Sequence, residues 1–393
     1  MAYSLIKRVS NPFYPTLDSL NESYCNYVAA QDGIFYMSIV STNPALQTRV
    51  VSWDGATTKY TTVIPNDSGY KEIHSLRADT GGVYAGTGYA AKIVFKVDSD
   101  RTGWGLVAPS TGTYATDIGD IISGLYCTGL CTGDNLEIYV VNLTTNLLDR
   151  VATLHPGTGE RYLYVAAWHN GKLYTIAQDP TNYTVSGKLY EYTPGESTLA
   201  LAADKYGDCF VFGELISYGG VLYGFGFGYN YPRLKYILAW DSVNKIWVNK
   251  WQNYTATEGG FEGVVVHNGK LWFVQNKNIC TFNPSTNTVT VEHTFSSNIS
   301  VTANRAVSHG GKLYFGTTAT IAVEGTGILY ELYDDTLYLE RSINKILFSR
   351  DQSKLLMASN KDFVNGIFGV RLDGGKVQSS LGLIKMYNGI GSL

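Results

Sequence analysis

The chain carries little charge for its length of 393 residues. Charged side chains make up 16% of it, against about 25% in an average soluble protein. A protein that binds nucleic acid carries a basic stripe that neutralises phosphates, and a protein that binds a membrane surface carries a similar cluster. Its 30 basic and 33 acidic side chains form no long block of either sign, so we expect neither nucleic acid nor a membrane as a partner.

Cysteine and long apolar runs are also scarce. Five Cys form an odd, sparse set, which predicts reduced thiols and no disulfide framework. No apolar run reaches the roughly 18 residues that a spanning helix needs, so no membrane insertion is expected. Lys7 and Arg8 follow the first apolar residues, which is the wrong order for a signal peptide. We therefore expect assembly in a cytoplasm.

Tyrosine and glycine, in contrast, are abundant. The chain has 30 Tyr and 42 Gly, and aromatic residues reach 13%. A disordered chain is poor in aromatics, and a coiled coil is rich in Ala, Glu, Lys and Leu, so both classes are excluded. The mixture predicts many short aromatic strands joined by turns that contain glycine.

One short sequence motif recurs along the chain: an apolar strand, a two-residue turn, and a strand that begins with an apolar and an aromatic residue. The turn pairs Asn-Gly, Asp-Gly and Gly-Gly tolerate positive φ at both central positions of a tight hairpin. Each copy therefore predicts an antiparallel hairpin. The clearest copies are 168–174, 266–272 and 308–314, and the looser or degenerate ones are 31–35, 80–84, 132–139, 218–223 and 351–356.

A second hairpin motif follows each copy of the first motif after about 15 to 25 residues, as at 239–247 and 281–289. Two hairpins make four strands, and the unit recurs about every 46 residues. That period is typical of a β-propeller. The sequence predicts an all-β fold with a single β-propeller domain, residues 1–393, built from four-stranded antiparallel blades. The repeat count is eight, with seven as the alternative because the unit at 114–165 lacks a clean second hairpin.

The N-terminal segment, residues 1–20, is expected to close the ring by giving a strand to the last blade, or to contact a neighbour. Closure of that kind removes the free sheet edges that promote aggregation.

On these hairpins the chain resembles the broad kelch-like and PQQ/NHL-like group of β-propellers. The Gly pairs precede the second strand, whereas true kelch repeats carry a diglycine after it. WD40 repeats carry a Trp-Asp pair at a fixed position in each repeat. The two pairs here, Trp53-Asp54 and Trp240-Asp241, do not recur in that way. The composition, rich in Tyr, Thr, Asn and Gly and low in charge, resembles that of phage tail and other virion propellers. This resemblance implies a virion protein.

Three groups of side chains raise the question of a metal site. Histidine occupies the same repeat position, immediately before the first turn, in three copies: His169, His267 and His309. A turn-stabilising role is favoured for these side chains over a three-histidine metal site near the propeller axis. Cys127 and Cys131 lie in an apolar strand and are interpreted as core thiols in preference to zinc ligands. The segment 98–103 fits a hairpin turn better than a calcium loop, because it lacks the distal acidic ligands. We expect no metal and no cofactor.

No catalytic set is visible in the sequence. A nucleophile elbow and a P-loop are missing, and the Gly-rich segment 224–228 lacks the helix that a dinucleotide site requires. We therefore predict no catalytic residues and no enzymatic activity.

Exposed aromatic residues are the candidates for binding. Tyr229, Asn230 and Tyr231 precede Pro232 and are predicted to form an aromatic loop that stacks on sugars or anchors a protein interface. Trp104, Trp247 and Trp251 are further candidates of the same kind.

These observations predict a non-enzymatic structural or interaction protein. The expected role is a virion component, in a phage tail or associated with a capsid, that docks other virion proteins, a second copy of itself, or a host-surface protein or glycan. The alternative is a lectin or glycan-active enzyme with a pocket on the propeller axis. That alternative predicts two or three carboxylates converging at the ring centre.

Overall fold

The structure is a computed structural model, and it describes residues 3–10, 23–41, 49–60, 73–87, 94–109, 117–130, 137–153, 162–178, 186–228, 233–255, 261–275, 278–294, 306–316, 327–334, 343–348, 354–359, 367–373, 376–377 and 386–387. These residues form strands and turns, with one three-residue 3-10 helix at Ser123–Leu125 and no α-helix. The all-β prediction is confirmed.

Seven four-stranded units repeat along the described part of the chain, and each is a propeller blade; three consecutive units are hydrogen-bonded into one twelve-stranded sheet. Six blades take their strands in chain order, with consecutive strands antiparallel. Blades 1 to 3 contain β2 (Ser23–Gln31), β3 (Ile34–Ser41), β4 (Arg49–Trp53), β5 (Thr58–Tyr60); β6 (Ile73–Asp79), β7 (Gly82–Thr87), β8 (Val94–Val97), β9 (Trp104–Pro109); and β10 (Asp117–Ile122), β11 (Tyr126–Leu130), β12 (Glu137–Asn142), β13 (Leu147–Thr153). Blades 4 to 6 contain β14 (Tyr162–His169), β15 (Lys172–Gln178), β16 (Lys188–Tyr192), β17 (Ala200–Ala203); β18 (Cys209–Tyr218), β19 (Val221–Gly228), β20 (Arg233–Asp241), β21 (Ile246–Thr255); and β22 (Phe261–His267), β23 (Lys270–Gln275), β24 (Asn278–Asn283), β25 (Thr288–Thr294).

The seventh blade combines strands from distant parts of the sequence. Its strands are β26 (Ala306–His309), β27 (Lys312–Gly316), β28 (Gly327–Asp334) and, beside β28 at the outer edge, the N-terminal β1 (Tyr3–Ser10). Residues 11–20 lie outside the described part of the chain, and the closing role of the segment 1–20 stays a prediction.

The first strands of successive blades pack on one another and close a ring. The contacts run from β2 to β6, β10, β14, β18, β22 and β26, and from β26 back to β2. The propeller of four-stranded antiparallel blades is confirmed with seven blades, the stated alternative, and the repeat count of eight is wrong. The eighth repeat, at 351–356, instead contributes to a hairpin of β29 (Ile343–Phe348) and β30 (Lys354–Ser359).

The chain divides into two compact units, one of residues 5–332 and one of residues 1–4 with 333–393. The sheet of the second unit continues from β30 through β31 (Ile367–Asp373) to β32 (Lys376–Val377), and β33 (Met386–Tyr387) also pairs with β31. The single domain over residues 1–393 stays a prediction.

The second strands of the blades are buried on both faces, which contributes to the low charge of the sequence. In β15 every residue from Leu173 to Gln178 is buried, although successive side chains of a strand point to opposite faces. The apolar clusters lie between neighbouring blades; one of them joins residues of blades 4 and 5, and another joins blades 5 and 6. Each face of a blade therefore belongs to the core.

The antiparallel order gives the ring two different ends. We call the end with the turns between first and second strands, and between third and fourth strands, the hairpin end. The opposite end carries the connections from second to third strands and from one blade to the next, and we call it the variable end.

Candidate functional site

The first turns of the blades have the backbone that the sequence predicts. Asn170 and Gly171 have φ of 49° and 76°, and Asn268 and Gly269 have φ of 46° and 73°. Positive φ at both central positions is the geometry of the tight turn that suits the right-handed twist of a hairpin. The recurring Asn-Gly pairs are therefore explained by turn geometry.

Blade 3 is the exception among the first turns. The sequence places its turn near residue 135, but the hairpin of β10 and β11 turns at Ser123–Leu125, where Gly124 and Leu125 have φ of 75° and 59°. Residue 135 itself lies outside the described residues, between β11 and β12 in the sequence. The turn was missed because it carries a leucine where the other copies carry glycine.

The histidines before the turns link neighbouring blades. His169 Nδ1 lies 2.9 Å from Ser217 Oγ in blade 5, and Asn170 Nδ2 lies 3.0 Å from His169 Nε2. His267 makes the same pair of bonds, at 2.8 Å to Ser308 Oγ in blade 7 and at 3.0 Å to the amide of its own turn. A histidine at this repeat position therefore stabilises the turn and also joins two blades.

Each of the other junctions between described blades has its own contact at the hairpin end. These are Gln31 Nε2 to the Asp79 carbonyl (3.3 Å), Gly124 N to Asp79 Oδ2 (3.0 Å), Trp168 Nε1 to the Ser123 carbonyl (2.6 Å), the Tyr218 hydroxyl to the Gly269 carbonyl (2.7 Å), and the His309 ring edge to Phe35 (5.4 Å between centroids). The polar side chains of the repeated slot are thus engaged in holding the ring together.

The lysine that follows the first turn also has a repeated structural role. Lys172 Nζ lies 2.8 Å from Glu191 Oε1, and Lys270 Nζ lies 3.5 Å from Glu292 Oε1. Tyr174 donates to the second oxygen of Glu191 at 3.1 Å. Burial is the main cause that raises the pKa of Tyr174 to about 12, and the Glu191 carboxylate adds to it.

The segment considered as a calcium loop is the outer turn of blade 2. Asp98 N donates to the Gly103 carbonyl at 3.1 Å. Both carboxylate oxygens of Asp100 accept hydrogen bonds from Thr102, at 2.9 Å from its N–H and 2.6 Å from its hydroxyl. This carboxylate therefore stabilises the turn.

Arg101, in the same turn, ties blade 2 to blade 1. Its Nη2 lies 2.9 Å from Asp54 Oδ2. Asp54 also accepts the N–H groups of Thr57 and Ala56 through Oδ1. These backbone bonds are the largest cause, followed by the bond from Arg101, that lower the pKa of Asp54 to about 2.

The described cysteines are all buried: Cys25, Cys127, Cys209 and Cys280. Cys127 lies in an apolar cluster of blades 2 to 4, as the core-thiol interpretation predicts, and Cys131 lies outside the described residues. Burial raises the pKa of Cys280 to about 12 and raises those of Cys25 and Cys209. These thiols are therefore protonated at neutral pH.

The aromatic candidates occupy different places. Tyr229, Asn230 and Tyr231 lie outside the described residues, in the connection from β19 to β20 at the variable end. Trp247 is 4% exposed and stacks on Phe212 in the core of blades 4 and 5.

Trp104 and Trp251 are partly buried. Trp104 packs edge-on to Phe95 at 5.7 Å between centroids, and Trp251 packs edge-on to Phe261 at 6.2 Å. All three tryptophans thus pack on phenylalanines within the propeller, and their role in binding stays a prediction.

One polar group at the variable end was missed by sequence reasoning. The Tyr236 hydroxyl donates to Asp208 Oδ1, and the rings of Tyr206 and Tyr236 pack edge to face at 5.6 Å. Burial, followed by the bond to Asp208, raises the pKa of Tyr236. The aromatic and acidic residues come from β20 and from the connection between blades 4 and 5, about 30 residues apart, so no local pattern could have paired them.

The described residues contain no group of three or more His, Cys, Asp or Glu side chains that could hold a metal ion. They also contain no helix that is long and apolar enough to cross a membrane.

Comparisons with known proteins show the fold alone. No family model matches the sequence, and no curated protein matches it. The chain is similar to a crystal structure, the extracellular domain of the putative one-component system BT4673 from B. thetaiotaomicron, with 13% identity and a TM-score of 0.57. The match covers 98% of this chain and 48% of that chain, so this chain spans about half its length. Because 1014 chains of known structure match, the fold by itself selects no function.

Proposed function

We propose that the chain is a non-enzymatic propeller that binds a protein partner through its variable end. The supporting observation is the contrast between the two ends of the ring. At the hairpin end, first turns have two residues in six blades and three in blade 3, and turns between third and fourth strands have four to seven. Connections at the variable end range from two residues (276–277) to twelve (61–72). Loops that vary on a rigid scaffold are where binding residues concentrate.

We further propose that the chain works as part of a larger assembly, as a virion component of a phage tail or capsid. The partner is then another virion protein, a second copy of the chain or a host-surface protein. The support is compositional: only 16% of the residues are charged. A free protein relies on surface charge to stay soluble and monomeric, and a protein held by neighbours does not.

The assembly role is tested by purifying the untagged protein from its native source and measuring the mass of the particle. Co-purification with a partner at fixed stoichiometry is expected. A free, monodisperse monomer would contradict the assembly role.

The binding end is tested by photo-crosslinking in the same particle. A photoreactive phenylalanine analogue is placed at Tyr229 or Tyr231, and in a matched control at Val243, which is 88% exposed at the hairpin end. Crosslinks to the partner are expected from positions 229 and 231 and not from 243. Crosslinks from 243 alone would assign binding to the hairpin end and contradict the proposal.

The aromatic loop is tested by substitution. Tyr229→Ala combined with Tyr231→Ala is expected to weaken partner binding at least tenfold, the loss typical of a central aromatic contact, with a nearly unchanged melting temperature. Val243→Ser combined with Ile246→Ser, at exposed positions of the hairpin end, serves as the control and should leave binding intact. If the tyrosine variant unfolds, its rings belong to the core and the loop assignment is wrong.

One observation favours glycan binding as a second candidate function. The partly buried Tyr206 and Asp208 lie together at the variable end, and an aromatic ring beside a carboxylate suits the apolar face and the hydroxyl groups of a sugar. A glycan array probed with the wild type and with Asp208→Asn tests this candidate. Binding that the substitution abolishes would support a lectin, and an array without signal would remove it.

A further inference from the structure

Two junctions of the ring carry the same arrangement of a histidine, a serine from the next blade and an asparagine from the histidine's own turn. His169 and Ser217 join blades 4 and 5, and His267 and Ser308 join blades 6 and 7. We propose that these two histidines make their junctions loosen in mild acid, while the junction between blades 5 and 6, which a tyrosine holds in the place of the histidine, stays closed.

The hydrogen bonds define where the imidazole proton lies. The amide Nδ2 of Asn170 is a donor, so His169 Nε2 accepts, and the ring carries its proton on Nδ1 and donates it to Ser217 Oγ. A second proton, on Nε2, would face the N–H group of the asparagine, so this hydrogen bond is lost unless the amide rotates and offers its oxygen. His267 has the same partners, so the same argument applies to it.

Both rings are buried in the closed junction. His169 is 5% exposed and His267 is 9% exposed. Burial lowers the pKa of both imidazoles, and the charged groups on the strands packed around them are not a cause of the shift. On the blades that the first histidine joins, those groups are the Lys172–Glu191 ion pair and Glu214 on the strand of Ser217. On the blades that the second histidine joins, they are the ion pairs Lys270–Glu292 and Lys312–Glu331.

Because an exposed imidazole has its ordinary pKa near 6.5, the open junction takes up a proton more readily than the closed one. The sign follows from linkage: the closed form is favoured fully above about pH 6.5, and the preference falls as the pH drops toward the lower pKa of the closed form. The population of the open form then rises by up to about tenfold for each pH unit.

The junction between blades 5 and 6 provides an internal control. It is held at the hairpin end by the Tyr218 hydroxyl, which donates to the Gly269 carbonyl at 2.7 Å. Neither partner of this bond is an imidazole. This bond is therefore unchanged over the range in which the histidines respond.

Two native thiols lie toward the variable end of the two kinds of junction, so they report whether a junction opens along its whole length. Cys209 is 0% exposed in the apolar cluster that blades 4 and 5 share, and Cys280 is 1% exposed in the cluster that blades 5 and 6 share. Both are labelled with 4,4′-dithiodipyridine at pH 7.5 and 5.0, and the sites are identified by peptide mass. Each rate is divided by the rate of free cysteine at the same pH, which removes the intrinsic effect of pH on the thiol.

The normalised rate of Cys209 is expected to rise between five- and thirtyfold from pH 7.5 to 5.0, from the pH dependence of about tenfold per unit below pH 6.5. The rate of Cys280 is expected to change less than twofold. An unchanged rate at Cys209, or an equal rise at both thiols, would overturn the proposal, because the second result indicates general loosening of the ring.

Substitution separates the histidine from other acid effects. In His169→Gln an amide that does not titrate replaces the ring, and Cys209 should lose its acid response. The matched variant His267→Gln leaves the junction of blades 4 and 5 intact, so Cys209 should keep its response. If Cys209 still responds to acid in His169→Gln, the proposal is wrong. If the junction of blades 4 and 5 is already open at pH 7.5 in His169→Gln, the variant gives no test of its own. The proposal then stands or falls with the wild-type protein, by whether acid raises the labelling rate of Cys209 and not that of Cys280.

Discussion

Gly316 in blade 7 lies directly against Val28 in blade 1. A Cβ atom built on Gly316 would be 2.7 Å from Val28 Cγ2 and equally close to Cys25 Sγ, and real Cβ atoms essentially never come within 3.0 Å of a neighbour. The backbone of the last blade thus touches side chains of the first. Ring closure at this point depends on a position with no side chain.

Gly316→Ala is therefore expected to destabilise the protein by about 1–3 kcal/mol, the range for inserting an atom into a packed core. Gly105→Ala is the matched control, because its Cβ would meet only the Lys96 carbonyl oxygen, at 4.0 Å, and its effect should stay within about 0.5 kcal/mol. Urea unfolding of both variants measures the difference. Equal stabilities would show that the two blades do not pack this closely.

Gly171→Val should destabilise blade 4 for a different reason. Nothing lies within 4 Å of a Cβ at this position, but its φ is +76°, and a left-handed conformation costs an L-residue roughly 1–2 kcal/mol. Gly171→Asn is the comparison, because asparagine tolerates positive φ better than a β-branched residue does. The melting temperature should fall clearly more for valine than for asparagine; similar values would contradict the turn geometry.

The hairpins could be predicted from sequence because their determinants are local. Two adjacent residues with positive φ specify the turn, and Asn170-Gly171 is visible in the sequence as a pair. The turn at Ser123–Leu125 could not be predicted, since Leu125 adopts positive φ (59°) as a buried residue and only the packed ring selects that conformation. The same reason explains the wrong blade count, because which strand completes the last blade depends on pairing between β1 and β28.

The partners of the polar side chains were also invisible in the sequence. The histidine slot indicates a turn, but the bond from His169 to Ser217 spans 48 residues. Asp54 and Arg101 are 47 residues apart and belong to turns of different blades. Contacts of this kind follow from the spacing of one repeat, so the period predicts that neighbouring blades meet but not which atoms bond.

The pKa of Asp54 predicts an acid dependence of stability. Its folded value of about 2 lies below the ordinary value near 3.9, so its contribution is present above about pH 4 and is lost as the pH falls toward 2. Asp54→Asn keeps an oxygen for the backbone N–H groups but removes the charge next to Arg101. The stability difference from wild type should be largest at neutral pH and should shrink between pH 4 and 3, as measured by thermal unfolding at each pH.

Asp241→Asn is the control for that effect. Asp241 accepts the N–H groups of Val243 and Asn244 at 3.0 Å each, and Asn244, a neutral residue, makes the side-chain bond where Asp54 has an arginine. Its substitution should cost less at neutral pH than that of Asp54. A larger loss for Asp241→Asn would indicate that the turn bonds, and not the ion pair between blades 1 and 2, dominate.

The turn of blade 3 predicts that glycine at position 125 gives a more stable protein than alanine, the reverse of the usual order in a strand. Leu125 is 2% exposed and has a φ of 59°, and neighbouring blades hold its turn through Gly124 N to Asp79 Oδ2 and Trp168 Nε1 to the Ser123 carbonyl. Truncation to either residue removes a buried side chain and should cost about 2–5 kcal/mol. Glycine, however, adopts positive φ freely, whereas alanine keeps a strain of roughly 1–2 kcal/mol.

Leu125→Gly should therefore be more stable than Leu125→Ala by about 1 kcal/mol. The order should reverse at Leu173, which is 0% exposed in the regular strand β15, because glycine in a strand interior costs about 0.5–1 kcal/mol relative to alanine. Denaturant unfolding of the four variants measures both differences. If alanine is the more stable residue at both positions, then Leu125 does not adopt the left-handed conformation, and blades 2 and 4 do not hold the turn in the way the hydrogen bonds indicate.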